Sequence, residues 1–452
     1  MTSFIAKTRE LFDRFDPKYV AFKRRVANFR YPSVKMGSLL SEPPEYGAGE
    51  AGIERLNDTT PRYIRITDID ENGELLPGLG MTAANVEPQY FLRDGDLLFA
   101  RSGNTVGKSY LHESERVSYP CFYAGYMIRF RFGEKVLPKY VFAFAQTPYY
   151  HEWVSAIQRS AGQPNINAQE YRNLEIPLPP LSEQRKIVAE LDAAYAAKRA
   201  ADEKATKLLA SIDDMVLNEL GIAKLPKPDT SLPSRIFTVP AREVANTTLA
   251  PDHYFDSIDF SKAKYPCERF VERIDIDPPC GLEQITKLVP MESVSAEWCA
   301  IESIEDISPD ATQGYSTFRG GDVIWARITP CMENGKSAVV EAEPSECFCG
   351  STEFLVFRPK DDKVNPYYLQ SLLHLKRFRE VAAHHFTGTS GHQRVTADFF
   401  KAISIPIPPR SVQDRIASTA SSIHAEARKL KADATAALDA AKMGIEMRIV
   451  EV

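Results

Sequence analysis

The amino-acid sequence predicts an α/β protein of the α+β kind, built as a pseudo-twofold internal repeat of two similar domains, each followed by a long helix. Three observations predict this class. Similar sequence blocks recur in the same order roughly 230 positions apart. Each copy contains short runs of β-branched and aromatic residues bounded by turn residues. Each copy is followed by a stretch with heptad spacing of apolar or small residues.

The repeat is visible in several collinear blocks. Because insertions in loops explain the small drifts in spacing, and chance does not keep so many blocks in order, we interpret the whole chain as duplicated. At 452 residues, the chain is also long enough for two or three domains. The matched pairs are YIRITDI at 63–69 with WCAIESI at 298–304, RDGDLLFAR at 93–101 with RGGDVIWAR at 319–327, PKYVFAF at 138–144 with PYYLQSL at 366–372, and IPLPPLSEQRKI at 176–187 with IPIPPRSVQDRI at 405–416.

Each copy predicts the same order of elements. YIRITDI and DLLFAR read as short strands, and apolar runs at 125–132 and 352–359 read as further strands. One short helix is predicted next in each copy, over KYVFAFAQTPYYHEWVSAI and YYLQSLLHLKRFREVAAH. A Gly-rich polar loop and a strand that ends in prolines complete the copy.

The two long helices follow the paired prolines. Pro179 and Pro180 oppose a helix before them, and Ser182 is a suitable N-cap. A helix from Ser182 to Leu220 is about 58 Å long. Only another long helix buries such a seam, so an antiparallel coiled coil is predicted; local packing of each helix on its own domain is the alternative. The large seam residues are Ile187, Leu191, Leu208, Ile212, Ile416, Ile423 and Leu430, interspersed with alanines such as Ala427, Ala434, Ala437 and Ala441.

Composition and charge narrow the class of protein. The chain is 44% hydrophobic and 26% charged, contains no apolar run near the roughly 20 residues of a membrane span, and lacks a signal-peptide pattern, which predicts a soluble cytoplasmic protein. Seven scattered cysteines predict reduced thiols. The net charge of -6 argues against indiscriminate coating of nucleic acid. The basic residues within 1–30 read equally as a solvated helix or as a phosphate-facing arm.

No catalytic or metal site is predicted. DPPC at 277–280 lacks the aromatic residue of the amino-methyltransferase signature, and GNTVGKS at 103–109 is one residue too short for a phosphate loop. The histidines and cysteines that could surround a metal ion in the second copy do not have the sequence spacing of metal ligands, and the first copy has no counterpart of them. That cluster would contain His384, His385, His392, Cys347 and Cys349.

A family resemblance is carried by these same blocks. IPLPPLSEQRKIVAELD resembles the stretch that follows each target-recognition domain in the DNA-specificity subunit of type I restriction-modification systems, and YIRITDI, LRDGDLLFARSGNTVGK and GQPNINAQEY are similar to that family's other recurring blocks. The second copy departs from the pattern at Arg410 and Val412 but keeps Gln413 and Ile416. The implied division is two target-recognition domains at 1–181 and 223–410, a central coiled-coil helix at 182–222 and a C-terminal one at 411–452.

The resemblance implies a non-catalytic subunit, in the bacterial or archaeal cytoplasm, that reads a split double-stranded DNA target with one half-site per domain. Two methyltransferase subunits and separate restriction and translocation subunits are the implied partners. S-adenosylmethionine, ATP and magnesium would bind to those partners and not to this chain. Two alternatives stay open, namely the specificity subunit of a system with a fused methyltransferase and nuclease, and a protein-binding scaffold.

Two polar loops in each copy supply the candidate DNA contacts, because such side chains bind phosphates or base edges. For each residue, a role in a turn or a strand end is the alternative. Arg101 and Arg327 occupy equivalent positions, which suggests structural or phosphate-binding roles, whereas the difference between Asn165 and Arg394 suggests sequence reading. The candidates are Arg101, Ser102, Asn104, Thr105, Lys108, Gln163, Asn165 and Asn167, then Arg327, Thr329, Lys336, Thr389, Ser390, His392, Gln393 and Arg394.

Overall fold

The computed structural model contains two compact units, Met1–Ala200 with Asp433–Val452, and Ala201–Ala432. We call them the first and second modules. Each of the two long helices contributes one half to each module. The structure describes residues 17–25, 29–103, 105–158, 164–223, 225, 227, 229, 231, 233, 236–244, 254, 258–280, 285–388 and 392–451. Most of the basic N-terminal stretch therefore lies outside the described residues.

The first module contains ten described strands and, besides the C-terminal half of the second long helix, five described α-helices. The helices are α1 (Pro17–Arg25), α2 (Pro138–Phe144), α3 (Pro148–Ile157), α4 (Ala168–Arg172) and the first half of α5 (Leu181–Glu219), with 3-10 turns at Met36–Leu39, Ile66–Asp68 and Pro88–Tyr90. The strands are β1 (Ser33–Lys35), β2 (Glu45–Tyr46), β3 (Ile53–Glu54), β4 (Arg62–Ile64), β5 (Met81–Thr82), β6 (Leu97–Ala100), β7 (Ser109–Leu111), β8 (Cys121–Tyr123), β9 (Met127–Phe130) and β10 (Glu175–Pro177).

The second module repeats this plan with additional short elements. Its described helices are α6 (Ala241–Val244), α7 (Phe270–Arg273), α8 (Cys331–Asn334), α9 (Pro366–His374), α10 (Lys376–His384), α11 (Ala397–Ala402) and the first half of α12 (Arg410–Ile449), with 3-10 turns at Met291–Ser293 and Pro309–Ala311. Its strands are β11 (Cys267–Arg269), β12 (Ile274–Ile276), β13 (Lys287–Val289), β14 (Val294–Ser295), β15 (Ala300–Ile301), β16 (Glu305–Asp306), β17 (Ser316–Arg319), β18 (Val323–Ala326), β19 (Ser337–Val339), β20 (Cys347–Gly350), β21 (Phe354–Pro359), β22 (Phe386–Thr387), β23 (Arg394–Val395) and β24 (Ser404–Pro406).

Both modules share the strand order of one four-stranded sheet and the pairing of the strand that ends in prolines. The order β2-β9-β6-β7 in the first corresponds to β12-β21-β18-β19 in the second, and β1-β10 corresponds to β11-β24. A second four-stranded sheet in each module contains one parallel pair, β4 with β8 and β13 with β20. The remaining pairs of these sheets are antiparallel, so the predicted α+β repeat is confirmed.

The parallel pairs show that one predicted correspondence is wrong. Tyr63 in YIRITDI lies opposite Phe122 of β8, and the residue in the matching place opposite β20 is Leu288. The true counterpart of YIRITDI is therefore LVPMESV at 288–294, whose strand also leads into a 3-10 turn. WCAIESI at 298–304 contributes β15 instead, which pairs with β14. The sequence match had fallen on a similar string that begins ten positions after the true counterpart.

The predicted short helix of each copy is in fact two helices. In the first module α2 ends at Phe144, and α3 begins at Pro148 with the Thr147 hydroxyl accepting from the Tyr150 amide. In the second module Leu375 separates α9 from α10. Proline at the first helical position favours a fresh start, which explains the first break.

The Gly-Asp blocks owe their similarity to a buried ion pair. Asp96 is 1% exposed and accepts from Arg131 at 2.7 and 3.0 Å, and Asp322, also 1% exposed, accepts from Arg358 twice at 2.7 Å. Each aspartate also accepts the backbone amide three residues before it, from Arg93 and Arg319 respectively. Because a buried carboxylate needs such partners, this motif is a structural element of the fold.

The long helices run antiparallel within each module. In the first module Arg448, near the end of α12, pairs with Glu183 and Glu190 near the start of α5. In the second module Arg415, near the start of α12, pairs with Glu219 at the end of α5. α5 begins at Leu181, so Ser182 lies in the first helical turn and not at the predicted N-cap.

The ends of both helices are part of the module cores. Ile187 and Leu191 lie in the first core with Leu438, Ile445 and Ile449, together with side chains of α2 and α3. Ile212 and Ile416 lie in the second core with side chains of α9 and α10. Leu208, Ile423 and Leu430 are half-buried. The predicted stripe is wrong at Ala437, which is exposed, because Leu438 occupies the buried position.

One cysteine pair departs from the expected reduced state. Cys280 and Cys347 are joined by a disulfide, while Cys121, Cys267, Cys299, Cys331 and Cys349 are free thiols. Sequence spacing gave no signal because 67 residues separate the two partners. No helix in the described part of the chain is long and apolar enough to cross a membrane.

Candidate nucleic-acid interface

The two polar loops predicted as DNA contacts meet in the first module. Ser102, in the loop after β6, forms an antiparallel bridge with Asn165, in the loop before α4. The Ile166 amide donates to the Arg101 carbonyl at 2.8 Å, and the Gly103 amide donates to the Pro164 carbonyl at 3.1 Å. These backbone bonds fix the two loops side by side.

The second module joins its two loops in the same way. Ile328 bridges Arg394, the Val395 amide donates to the Arg327 carbonyl at 2.8 Å, and the Thr329 amide donates to the Gln393 carbonyl at 3.0 Å. The loops at equivalent places in the two modules therefore form one composite surface in each module. This is the candidate interface.

An exposed tyrosine shares the first surface with Arg101. The Arg101 guanidinium lies over the ring of Tyr46 at 4.9 Å, and the Tyr46 hydroxyl accepts from the Ala168 amide at 3.2 Å. Asn167 caps α4, because its side chain accepts from the Glu170 amide at 2.9 Å while Glu170 accepts from the Asn167 amide. Asn167 therefore caps a helix, a structural role of the kind that was the alternative to DNA contact for each candidate.

Two candidate lysines point into the fold. The Lys108 ammonium donates to the Ile69 carbonyl at 2.7 Å, and the Lys336 ammonium donates to the Met291 carbonyl at 2.8 Å. Both acceptors lie at the 3-10 turn that follows the parallel strand of the module. These equivalent lysines hold the turn against the loop in both modules.

The second surface contains a charged cluster of three residues. Arg394 donates through Nε and Nη2 to the Glu353 carboxylate, with distances between 2.6 and 3.0 Å. Arg327 lies 3.8 Å from the same carboxylate. The hydrogen bond with Glu353 raises the pKa of Arg394, so this guanidinium keeps its charge.

The remaining candidates lie at the rim of the composite surfaces or outside the described residues. Thr105 and His392 are exposed, and Ser102 and Gln393 are half-buried. The Thr329 hydroxyl donates to the Glu333 carboxylate at 2.5 Å. Four candidates lie outside the described residues, namely Asn104, Gln163, Thr389 and Ser390.

Sequence reasoning missed Tyr46, Tyr126 and Glu353. Tyr126 and Glu353 each stand just before the strand that pairs with the Gly-Asp strand, and their carbonyls accept from Arg101 and Arg327 at 2.9 Å. The aligned strands at 125–132 and 352–359 contained the signal, since the two copies place a tyrosine and a glutamate at one position. Tyr126 is 40% exposed, so its side chain contributes to the surface.

The residues that the structure describes contain no group of three or more histidine, cysteine or acidic side chains able to hold a metal ion. Cys299 and His374 form an isolated pair, with Sγ 3.3 Å from Nδ1, in a small cavity of the second module.

Two copies of one α+β module, each with a composite polar surface beside the Gly-Asp strand, define a duplicated recognition protein.

The chain belongs to the family of the type I restriction modification DNA specificity domain, whose family model matches residues 63–207 and 292–438. The two matches fall on the two copies of the repeat and cover more than half of the chain. The predicted assignment to specificity subunits of type I systems is confirmed, and with it the class of a recognition subunit that is not itself an enzyme.

Curated relatives agree with this family. The chain is 31% identical over 165 residues to the type I restriction enzyme EcoAI specificity subunit of Escherichia coli, and 30% identical over 166 residues to the EcoEI specificity subunit. Each match covers 36% of this chain and 28% of the relative. A match to the EcoKI specificity subunit is 25% identical and covers 48% of this chain and 45% of that relative. The chain thus spans less than half of the length of the curated relatives it matches.

Two solved structures are also similar to this chain. One comes from work on complex assembly and conformational transition of the type I R-M system, with a TM-score of 0.48 and 17% identity over 93% of this chain and 98% of that chain. Another is the S subunit of a type I restriction-modification system from M. genitalium, with a TM-score of 0.42 and 11% identity over 94% of this chain and 97% of that chain.

Proposed function

We propose that this chain reads a bipartite double-stranded DNA target, with one half-site bound by each module. The observation that carries the proposal is the composite surface, which both modules build from the same two loops with the same backbone bonds. The frame of this surface is repeated while its side chains differ, as between Asn165 and Arg394. A loop backbone that is the same in both modules but has different side chains suits the recognition of two different half-sites.

In this proposal, α5 and α12 set the unread spacer between the half-sites. The working division keeps target-recognition domains at 1–181 and 223–410 and spacer helices at 182–222 and 411–452. The antiparallel contacts of Arg448 with Glu183 and of Arg415 with Glu219 support a paired-helix spacer. Half-sites about one DNA turn apart, near 34 Å, suit helices of this length.

The chain directs catalytic partners to this target. We propose two methyltransferase subunits that modify adenine, and restriction and translocation subunits, with S-adenosylmethionine, ATP and magnesium bound by those partners. A system in which one partner polypeptide both methylates and cuts is the second candidate. The neighbouring reading frames separate these two candidates, because they encode either separate or fused partners.

Methylation profiling of the host genome, with and without this gene, tests the proposal. A methylated motif with two defined half-sites and an undefined gap is expected to disappear with the gene. Persistence of every methylated motif would reject the proposal. A protein-binding scaffold, the remaining alternative, predicts no steep salt dependence of binding to random duplex DNA, whereas a DNA reader loses affinity steeply as salt rises.

A further inference from the structure

Of three equivalent positions on the two composite surfaces, one is the same in both modules and two differ. The arginine after the Gly-Asp strand is common to both, as Arg101 and Arg327. The residue whose carbonyl accepts the amide of this arginine is Tyr126 in the first module and Glu353 in the second. The residue across the loop bridge is Asn165 in one module and Arg394 in the other. The second module thus has an arginine and a glutamate where the first has neither.

Glu353 holds the Arg394 guanidinium in one orientation. An arginine has five N–H donors in a fixed fork. The Nε hydrogen and one Nη2 hydrogen are donated to Glu353, and one Nη1 hydrogen is donated to the His392 carbonyl at 2.9 Å. Among the contacts of the described residues, one hydrogen on each terminal nitrogen has no acceptor. Arg394 therefore keeps two neighbouring donors on a guanidinium that is already oriented.

We propose that Arg394, positioned by Glu353, reads a guanine in the half-site of the second module. Two neighbouring donors match a pair of acceptors, and the major-groove edge of guanine presents such a pair in O6 and N7. A phosphate group also presents paired acceptors. This inference rests on the proposed function, and it names one residue that reads a base and one that positions the reader.

The carboxylate of Glu353 favours the base over the phosphate. Glu353 offsets one of the two positive charges that Arg394 and Arg327 bring to the cluster, so a phosphate placed beside Arg394 meets the negative carboxylate as well as the guanidinium groups. The neutral edge of guanine does not encounter this repulsion. The position also differs between the modules, as expected for base readers and not for contacts to the uniform DNA backbone.

The test uses the full chain with its methyltransferase partners and a library of duplexes randomised at each position of the half-sites that wild-type profiling defines. The variants are Arg394→Ala, Arg394→Lys, Glu353→Gln and Glu353→Asp. Glu346→Gln is the matched control, because Glu346 is an exposed acid of the same module whose partner is Lys287, and its change alters the charge equally.

The wild-type complex is expected to require guanine at one position of one half-site. Arg394→Ala and Arg394→Lys should lose roughly 10- to 100-fold of the discrimination at that position alone, since lysine cannot form the bidentate contact. Glu353→Gln should lower the same discrimination and raise binding to random duplexes, and Glu353→Asp should restore part of the discrimination. Glu346→Gln should leave the preference unchanged.

Two results would overturn the inference. A uniform loss of methylation across all library members, without a change of preference, would make Arg394 a phosphate contact. Unchanged preference in both Arg394 variants would remove it from the interface. Both results still leave a motif that depends on the chain, and they are thereby distinct from failure of the proposed function, in which deletion of the chain leaves every motif in place.

Discussion

Gln184 and Gln413 make the same set of hydrogen bonds in the two modules, and both are completely buried. Gln184 accepts from the Leu137 amide at 2.9 Å and donates to the carbonyls of Pro179 and Lys135. Gln413 accepts from the Asn365 amide at 2.8 Å and donates to the carbonyls of Pro408 and Lys363. One side chain thus ties the start of the long helix to the paired prolines and to the start of α2 or α9.

We expect Gln413→Leu to destabilise the second module by about 2–4 kcal/mol, because leucine leaves the buried Asn365 amide and the buried Pro408 carbonyl without partners. Denaturant unfolding of the full chain measures the change. Gln313→Leu is the control, since Gln313 is an exposed glutamine in the same module. Equal stability of the two variants would mean that the buried glutamine is not a structural clamp.

Asp322→Asn should cost about 3 kcal/mol, because it leaves the Arg358 guanidinium, 14% exposed, beside a neutral amide. The exposed pair of Lys287 with Glu346 supplies the comparison, and Glu346→Gln should cost at most about 1 kcal/mol. Thermal unfolding monitored by circular dichroism separates the two. Similar melting temperatures for both variants would refute a structural role for the Gly-Asp motif.

The stability of the second module should fall in acid through His374. Burial lowers the pKa of His374 to about 3, from an ordinary value of 6.5. The unfolded chain then binds a proton below about pH 6.5 that the folded chain does not bind, so stability is full above this pH and is lost as the pH falls. The expected contribution is about 1.4 kcal/mol between pH 7.5 and 5.5. His374→Gln should reduce the pH dependence by this amount, measured by urea unfolding at both pH values, and an unchanged dependence would contradict the assignment.

Lys108→Met should lower stability by about 1.5–3 kcal/mol, since its ammonium donates to the Ile69 carbonyl inside the fold. The salt dependence of DNA binding should stay as in the wild-type complex, because a lysine held in this way does not neutralise a phosphate. Parallel measurements of unfolding and of binding at several salt concentrations decide the matter. A shallower salt dependence together with unchanged stability would instead indicate that Lys108 contacts a DNA phosphate.

The sequence predicted the repeat, the proline junctions and two polar loops in each copy as candidate contacts, because each leaves a local pattern that recurs, but it did not predict that the two loops pair. The contact of Lys108 with Ile69 could not be predicted, because it forms only when distant segments fold together, whereas the Asn167 cap is local, since Glu170 lies three positions further on, and was overlooked. Lys108 reaches a carbonyl 39 positions away, and a lone lysine in a polar loop gives no sign of this. The contact of Glu353 with Arg394 also joins segments 41 positions apart, although the aligned strands already showed a tyrosine and a glutamate at one position.

The helix seam was predicted well where large side chains recur and poorly where alanines dominate. Ile187, Ile212 and Ile416 are buried as the heptad pattern indicates. In the stretch after Ala434, small residues lie on several faces of the helix, so the heptad pattern does not distinguish Ala437 from its neighbours as the seam position. Packing in the first module selects Leu438 instead, because its larger side chain gains more from burial.

The spacing of the two half-sites in the methylated motif tests the central claim most directly. Seven residues inserted at matched positions in α5 and α12, after 200 and before 433, keep the heptad phase and lengthen each helix by about 10.5 Å. The motif should keep both half-sites while its undefined gap grows by about three base pairs. An unchanged gap, with methylation retained, would contradict the claim that two reading modules are held apart by this helix pair.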